Sequence, residues 1–353
     1  MKTSSVLFLA TLCATFPIVR TCAAQVPVTP KTGNSMTLDV VVTDKAERPV
    51  AGLSAADFKV LLDGKNDREI QNVKMASGED EKADPPVEAI LLVDMINVPF
   101  ETLSNERKDI EKYLQGMGTR LPVPTRFIFL TETDLRYQGE ATRDPKTLLQ
   151  NLENNPSLQR LGQPQGGYQN YVQMREKSLQ ALNELAVKLS GEPGRKLVIW
   201  IGPGWATFAK VSDQKSQKEL EVLYTFIVGI STELRAARIT LYSVDTHGVA
   251  RDMVPEGNDY YKEFLKGVAT PKQANNGNLG LQVIAAQTGG RVLYGNNDTG
   301  KMINQCLADS AAFYEMTFDA PSATRENEYH SLDVKVNKPG LKARTRMGYY
   351  TQP

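Results

Sequence analysis

The chain has 353 residues, 41% of them hydrophobic and 23% charged, with 41 Lys and Arg set against 41 Asp and Glu. That balance removes any electrostatic reason to expect nucleic acid or an anionic membrane surface as a partner, and the length suits one medium domain with a smaller one beside it. Three Cys and two His leave little material for a zinc site, a disulfide framework or a histidine-based catalytic centre, so no cofactor is expected.

Residues 1–24 begin with Met1-Lys2, run through an apolar stretch from Val6 to Val19 and finish on Cys22, Ala23 and Ala24. A positive start, a short apolar segment and small side chains at the end are the layout of a cleavable secretory signal, with cleavage expected after Ala24. The apolar stretch is shorter than the roughly 20 residues a transmembrane helix takes. The expectation is therefore an exported chain, periplasmic or extracellular, with no membrane insertion after signal cleavage. Cys22 follows Val19-Arg20-Thr21, which is not the setting for lipid attachment. Loss of this segment leaves Cys306 as the one thiol, read as a small apolar residue on a helix.

A linker over 25–35 precedes an N-terminal β segment over 36–77. Met36 to Thr43 alternates Leu38, Val40 and Val42 on one face and reads as a strand. Ser54 caps a single helical turn ending at Phe58, Lys59 to Leu62 meets an Asp63-Gly64 turn, and a returning strand is expected from Glu69 to Val73. The acidic stretch from Gly78 to Pro86 reads as a linker.

From Val87 the pattern changes to alternating strands and helices. Ala89 to Val93 is an unbroken apolar run ending in Asp94, as expected of a strand buried on both faces in a parallel sheet. Helix follows over 103–116, then a strand from Arg126 to Leu130 continuing towards Tyr137. Asp144-Pro145 opens a short helix, and a loop rich in Gly and Pro leads to the longest helix, Tyr168 to Ser190. Buried strands follow at 196–201 and 238–244, separated by a helix from Lys218 to Ala237. Helices at 279–288 and 298–310 flank a short strand at 291–294.

Such alternation specifies α/β architecture: a doubly wound, mostly parallel sheet with helices on both faces, Rossmann-like, over 87–311. Ligands of these folds gather at the carboxyl ends of the strands. That edge would hold Asp94, Thr131 to Asp134, Gly202 to Trp205 and Asp245 to His247. Beyond 311 strands return at 313–318, 330–336 and 341–350, the last two joined as a hairpin by Lys338-Pro339-Gly340. This C-terminal β segment, 312–353, is expected to pair with 36–77 as a small antiparallel β domain, covering edges neither piece protects alone.

The strand ending in Asp94, the Gly166-Gly167 opening of the long helix and the strand ending at Gly202-Pro203-Gly204 resemble, in their order, a von Willebrand factor type A (VWFA) domain. Flanking motifs sharpen the likeness. Asp39 to Asp44, Pro49-Val50, Gly52-Leu53, Asp57-Phe58 and Asp63-Gly64 lie before the domain; Tyr314, Tyr329-His330, Val334 to Val336 and Arg346 to Tyr349 lie after it. Together they resemble the exported VWFA-related domain proteins named for acidobacteria. The resemblance implies an adhesion or protein-binding fold with a metal-ion-dependent adhesion site (MIDAS) built from Asp-x-Ser-x-Ser, a helix-opening Thr and a late Asp. Here only the first Asp survives, as Asp94. The Ser positions fall on Ile96 and Val98, the Thr on Tyr168, and the late Asp within Gly202-Pro203. Neither Ile nor Val offers the oxygen a hard divalent cation takes, so the adhesion site reads as degenerate, with Asp94 a vestige and no metal bound.

Gly202-Pro203-Gly204 lacks the Lys and Ser/Thr of a phosphate-binding loop, and no Gly-x-Ser-x-Gly elbow marks a hydrolase. His330 reads as a structural hydrogen-bonding residue. The expected function is a secreted, non-enzymatic module that binds an unidentified protein through Asp94, Asn97, Trp205, Asp245 and His247. The alternatives are a hydrolase using strand-end carboxylates with His247, and a structural component of an envelope assembly.

Overall fold

A computed structural model describes residues 35–154, 168–207, 215–246, 259–322 and 324–352. The expected signal segment, Gly166-Gly167 and His247 lie outside the described residues. The chain starts with β1 (Ser35–Thr43), β2 (Phe58–Leu62), β3 (Asn66–Arg68) and β4 (Ile70–Ala76). The α/β block then runs β5 (Val87–Asp94), α1 (Phe100–Gly116), β6 (Thr125–Leu130), β7 (Leu135–Thr142), α2 (Pro145–Glu153), α3 (Tyr168–Ser190) and β8 (Arg195–Ile201). It continues with α4 (Gln217–Ala236), β9 (Ile239–Val244), α5 (Leu281–Gln287), β10 (Val292–Leu293) and α6 (Thr299–Leu307). Strands β11 (Phe313–Asp319), β12 (Tyr329–Val336), β13 (Lys342–Arg344) and β14 (Gly348–Tyr350) complete it.

The central sheet has the order β10-β9-β8-β5-β6-β7, parallel throughout except for β7 at one edge. Every residue of β6, β8 and β9 is buried, which is why these segments are apolar without alternation. Successive side chains of a strand point to opposite faces, so β5 feeds two cores. Ala89, Leu91 and Val93 pack with α1, α2 and α6, whereas Ile90 and Leu92 pack with α3, α4 and α5. Asp144 caps its helix as its sequence suggests, accepting from the Lys146 and Thr147 N–H groups, and in the structure Ser216 exchanges hydrogen bonds with Glu219 at the start of α4.

Strand β6 does not continue towards Tyr137. The Thr131 hydroxyl donates to Asp134 Oδ1 at 2.6 Å and accepts from the Thr133 and Asp134 N–H groups, closing a turn that sends β7 back antiparallel. Local side-chain bonds of this kind compete with extended backbone.

Strands from both ends of the chain form two further sheets, β13-β1-β11-β4 and β14-β12-β2-β3, around one core that includes Leu38, Val40, Val60, Leu62, Tyr314, Phe318, Leu332 and Tyr349. Two expected strands are each divided between the sheets. In place of a single return at 69–73, β3 pairs with β2 while β4 pairs with β11 in the opposite sheet. In place of one hairpin over 330–350, β13 pairs with β1 and only β14 pairs with β12. The second crossing is held in place because Thr345 Oγ1 donates to the Asp39 carbonyl at 2.8 Å and the Met347 N–H to the Gln287 carbonyl at 2.9 Å. Gly289, at φ 87°, lets the backbone pass close beneath Thr345, where a Cβ would stand 2.6 Å from the Thr345 carbonyl carbon.

Ionic clamps join the α/β block to these sheets. Arg238, at the start of β9, reaches Asp39 of β1 at 2.5 Å and Glu315 of β11 at 2.7 Å. Asp309, just after α6 and with no exposed side-chain surface, accepts from Tyr242 at 2.9 Å, Arg291 at 3.0 Å and Arg344 of β13 at 2.6 Å. Burial pushes its carboxyl up, but the Arg344 and Arg291 guanidiniums outweigh burial and hold it below the ordinary aspartate value. Asp309→Ala leaves both guanidiniums without that partner, a loss of about 3–5 kcal/mol. Asp333→Ala, on exposed strand surface, is expected to change stability by about 0.5 kcal/mol or less. Urea unfolding of the two variants beside the parent chain checks the contrast.

Candidate functional site at the carboxyl edge of the sheet

Parallel β5, β6, β8 and β9 bring Asp94, Thr131, Gly202 and Asp245 to one edge, as their register requires: Asp94 lies opposite Leu130, and Ile201 opposite Val244. Asp94 is fully buried there. Its Oδ1 accepts from the Ile96 and Asn97 N–H groups, each at 3.1 Å, and its Oδ2 from Asn97 Nδ2 at 2.8 Å and Trp200 Nε1 at 2.9 Å. Burial raises its pKa, and the four donors oppose that rise. Asn97, half-buried, also donates to Ser178 Oγ on α3 at 2.9 Å. Gly202, at φ 136°, leaves room for this carboxylate, since a Cβ there would meet Asp94 Cβ at 2.8 Å. The glycines after β8 therefore serve close packing against Asp94 and Leu281, with the Gly202 N–H donating to the Val244 carbonyl.

Three residues expected to present a binding edge are interior instead. Asp94 is 0% exposed, Asp245 1% and Trp205 6%. Trp205 is drawn inward because its indole N–H finds the Leu279 carbonyl at 3.0 Å and its ring meets Trp200 edge-on at 5.3 Å. The resemblance implies a divalent cation here, and the residues present do not fit one. Both Asp94 oxygens are taken by interior donors, and Ile96 and Val98 are buried apolar side chains. Among the described residues no group of three or more His, Cys, Asp or Glu is arranged to hold a metal ion.

Glu106 was not evident from the sequence, where it is one of several charges on α1. It is 2% exposed and accepts from the Thr246 hydroxyl just beyond β9. Burial pushes its carboxyl well above the ordinary glutamate value, and Asp94, Asp245 and Asp109 add to the rise. Only the packing of α1 over the strand ends reveals this. Tyr168 and Tyr171, in the first turn of α3, are large and more than half exposed at the same edge; the signal available was their absence from the apolar stripe of that helix. Thr133 and Glu132 are exposed on the β6–β7 turn, where the Glu132 carbonyl accepts from Lys177 Nζ of α3 at 2.9 Å. His330, away from this edge, bonds Asp63 at 2.9 Å, and Cys306 is fully buried on α6.

No family model and no curated protein sequence matches the chain. Among solved structures it is similar to the conserved hypothetical protein BatB from Bacteroides thetaiotaomicron, with 14% identity and a TM-score of 0.34 over 64% of this chain and 98% of that one. It is similar also to the SpRpn10 VWA domain, with 9% identity and a TM-score of 0.27 over 62% of this chain and 94% of that one. A third likeness is to the vWF domain of the type V pili tip protein Mfa5 from Porphyromonas gingivalis, at 16% identity and a TM-score of 0.20, over 34% of this chain and 38% of that one. The class the fold defines is a doubly wound α/β protein with a mostly parallel sheet and additional antiparallel sheets. Among the described residues no helix is long and apolar enough to cross a membrane.

Two outcomes follow from the edge. Asp94→Ala orphans the Trp200 indole and two backbone N–H groups and leaves the Asn97 amide only its bond to Ser178, and is expected to lose about 3 kcal/mol or more in denaturant unfolding. Glu106 binds its proton more tightly folded than unfolded. Its contribution is therefore complete below the ordinary value of 4.5 and is lost as pH rises towards the folded value. Glu106→Gln keeps the neutral form at every pH. The melting temperature of the variant minus that of the parent should grow between pH 5 and pH 8; Glu88, raised by burial to about 7, is common to both and cancels.

Proposed function

We propose that the chain is an exported protein-binding module of the von Willebrand type A kind, with a degenerate adhesion site, that engages a protein partner at the carboxyl edge of the sheet without a metal ion. The observation that carries this reading is the state of Asp94. A carboxylate with no exposed surface and four donors on its two oxygens has no lone pair directed outward for a cation or for a partner's acidic group. Recognition then falls to what the edge exposes: Tyr168 and Tyr171 of α3, with Glu132 and Thr133 of the β6–β7 turn. Tyrosines supply large amphipathic contact area at low conformational cost, which suits protein recognition.

Export rests on the residue pattern of 1–24 and predicts a mature chain beginning at Gln25, read by N-terminal sequencing of the protein recovered from its native envelope. Calorimetry with millimolar Mg²⁺ and Ca²⁺ should give no saturable heat. Saturable heat that disappears in Asp94→Asn would overturn the metal-free reading. Cross-linking in the native envelope should yield an adduct with the parent chain that is lost with Tyr168→Ser combined with Tyr171→Ser; an adduct retained in full by that variant places recognition elsewhere.

A further inference from the structure

A cleft of about 780 Å³ opens between α1 and α6, a volume within the roughly 300–1,000 Å³ of small-molecule sites. Both helices cover the face of the sheet opposite the one that carries α3, so the cleft lies apart from Tyr168 and Tyr171. Residues about one helical turn apart line it from each side: Asp109, Lys112 and Gly116 on α1, and Lys301, Asn304 and Ala308 on and just after α6. The two helices are fixed to each other. Thr299 Oγ1 donates to Asp109 Oδ2 at 3.2 Å, and the Tyr113 hydroxyl donates to Asn304 Oδ1 at 3.2 Å. Gly300 packs directly on Tyr113, where a Cβ would stand 3.1 Å from Tyr113 Cβ. The cleft is therefore preformed, with the buried Tyr113 ring at its base.

Its unused groups are polar. Among the described residues the side chains of Lys112, Lys301, Asn297 and Gln305 have no hydrogen-bond or ion-pair partner, and Asn304 Nδ2 and Asp109 Oδ1 are likewise unengaged. Asp298 is occupied as the N-cap of α6, accepting from the Lys301 N–H at 2.8 Å. Two lysines and two aspartates balance, so the lining gives neither an anion nor a cation a net attraction. An apolar ligand would strand these groups without water or partners. Amides both donate and accept, ammoniums donate and a carboxylate accepts, and a ligand hydroxyl can answer all three because it does both.

We propose that the cleft between α1 and α6 binds a neutral saccharide, its hydroxyls met by Asn297, Asn304, Gln305, Lys112 and Asp109 and its carbon–hydrogen face set against Tyr113 and Met117. A sugar ring presents hydroxyls at its rim and an apolar face, which matches a cleft whose base is apolar and whose walls carry uncommitted amides. Because the lining is balanced in charge, affinity comes from hydrogen bonds and contact rather than from ion pairs, and it should not depend on salt. The site is independent of the proposed partner-binding edge, and either can fail without the other.

The test is saturation-transfer NMR of the full chain with maltose and with N,N′-diacetylchitobiose, each titrated at low and at high chloride. The parent chain should show a saturable signal that chloride leaves unchanged. A response to maltose assigns hydroxyls as the recognised groups, and a response confined to the second sugar assigns an acetamido saccharide. Gly116 is the exposed last residue of α1, and a Cβ there meets nothing within 4 Å. Gly116→Trp should therefore fill the cleft, keep the parent's melting temperature and lose the signal. Gln305→Ala, which removes an exposed amide without a partner, should keep the fold and raise the half-saturating sugar concentration several-fold. No saturable signal with either sugar, the same titration in parent, Gly116→Trp and Gln305→Ala, or a signal abolished by chloride overturns the proposal.

Discussion

At the end of β5 a carboxylate is sealed from water, and its neighbours are placed to supply donors. Trp200 reaches it from the adjacent strand, Asn97 and two N–H groups from the loop that follows, and Gly202 withholds a side chain to leave room. Burying a charge is tolerable only when hydrogen bonds replace the lost water, so these residues act as a set. In the function proposed above, the same donors that make Asp94 compatible with the interior occupy the lone pairs that would otherwise face a metal.

The seam between the α/β block and the terminal sheets shows the same principle met and unmet. Asp309 and Arg238 are buried or half-buried charges saturated by partners from elements far apart in the chain, and each fastens the sheets to the block. Arg235, in the last turn of α4, has among the described residues no acceptor for its buried Nε.

Much of the architecture was legible because its signals are local. Apolar runs marked β5, β6, β8 and β9, and Asp144 and the stripe of α3 marked helices almost to the residue. Misreadings occurred where partner choice, which no short window records, decided the outcome. Residues 66–76 and 342–350 each divide between two sheets because the chain crosses the sandwich there. Side-chain bonds at Thr131 turned one expected strand into two antiparallel ones.

At the candidate site the division falls between chemistry and exposure. The residues themselves determined that Asp94 ends a buried strand and that Ile96 and Val98 offer no oxygen, since periodicity and side-chain chemistry belong to the chain alone. Which groups face water, which are sealed and which charges meet depends on contacts between segments far apart in the chain. Trp205 turned inward to the Leu279 carbonyl and Glu106 under Thr246 were therefore decided only when helices and sheets closed over one another. Burial and electrostatic neighbourhood are properties of packing, and no one-dimensional pattern contains them.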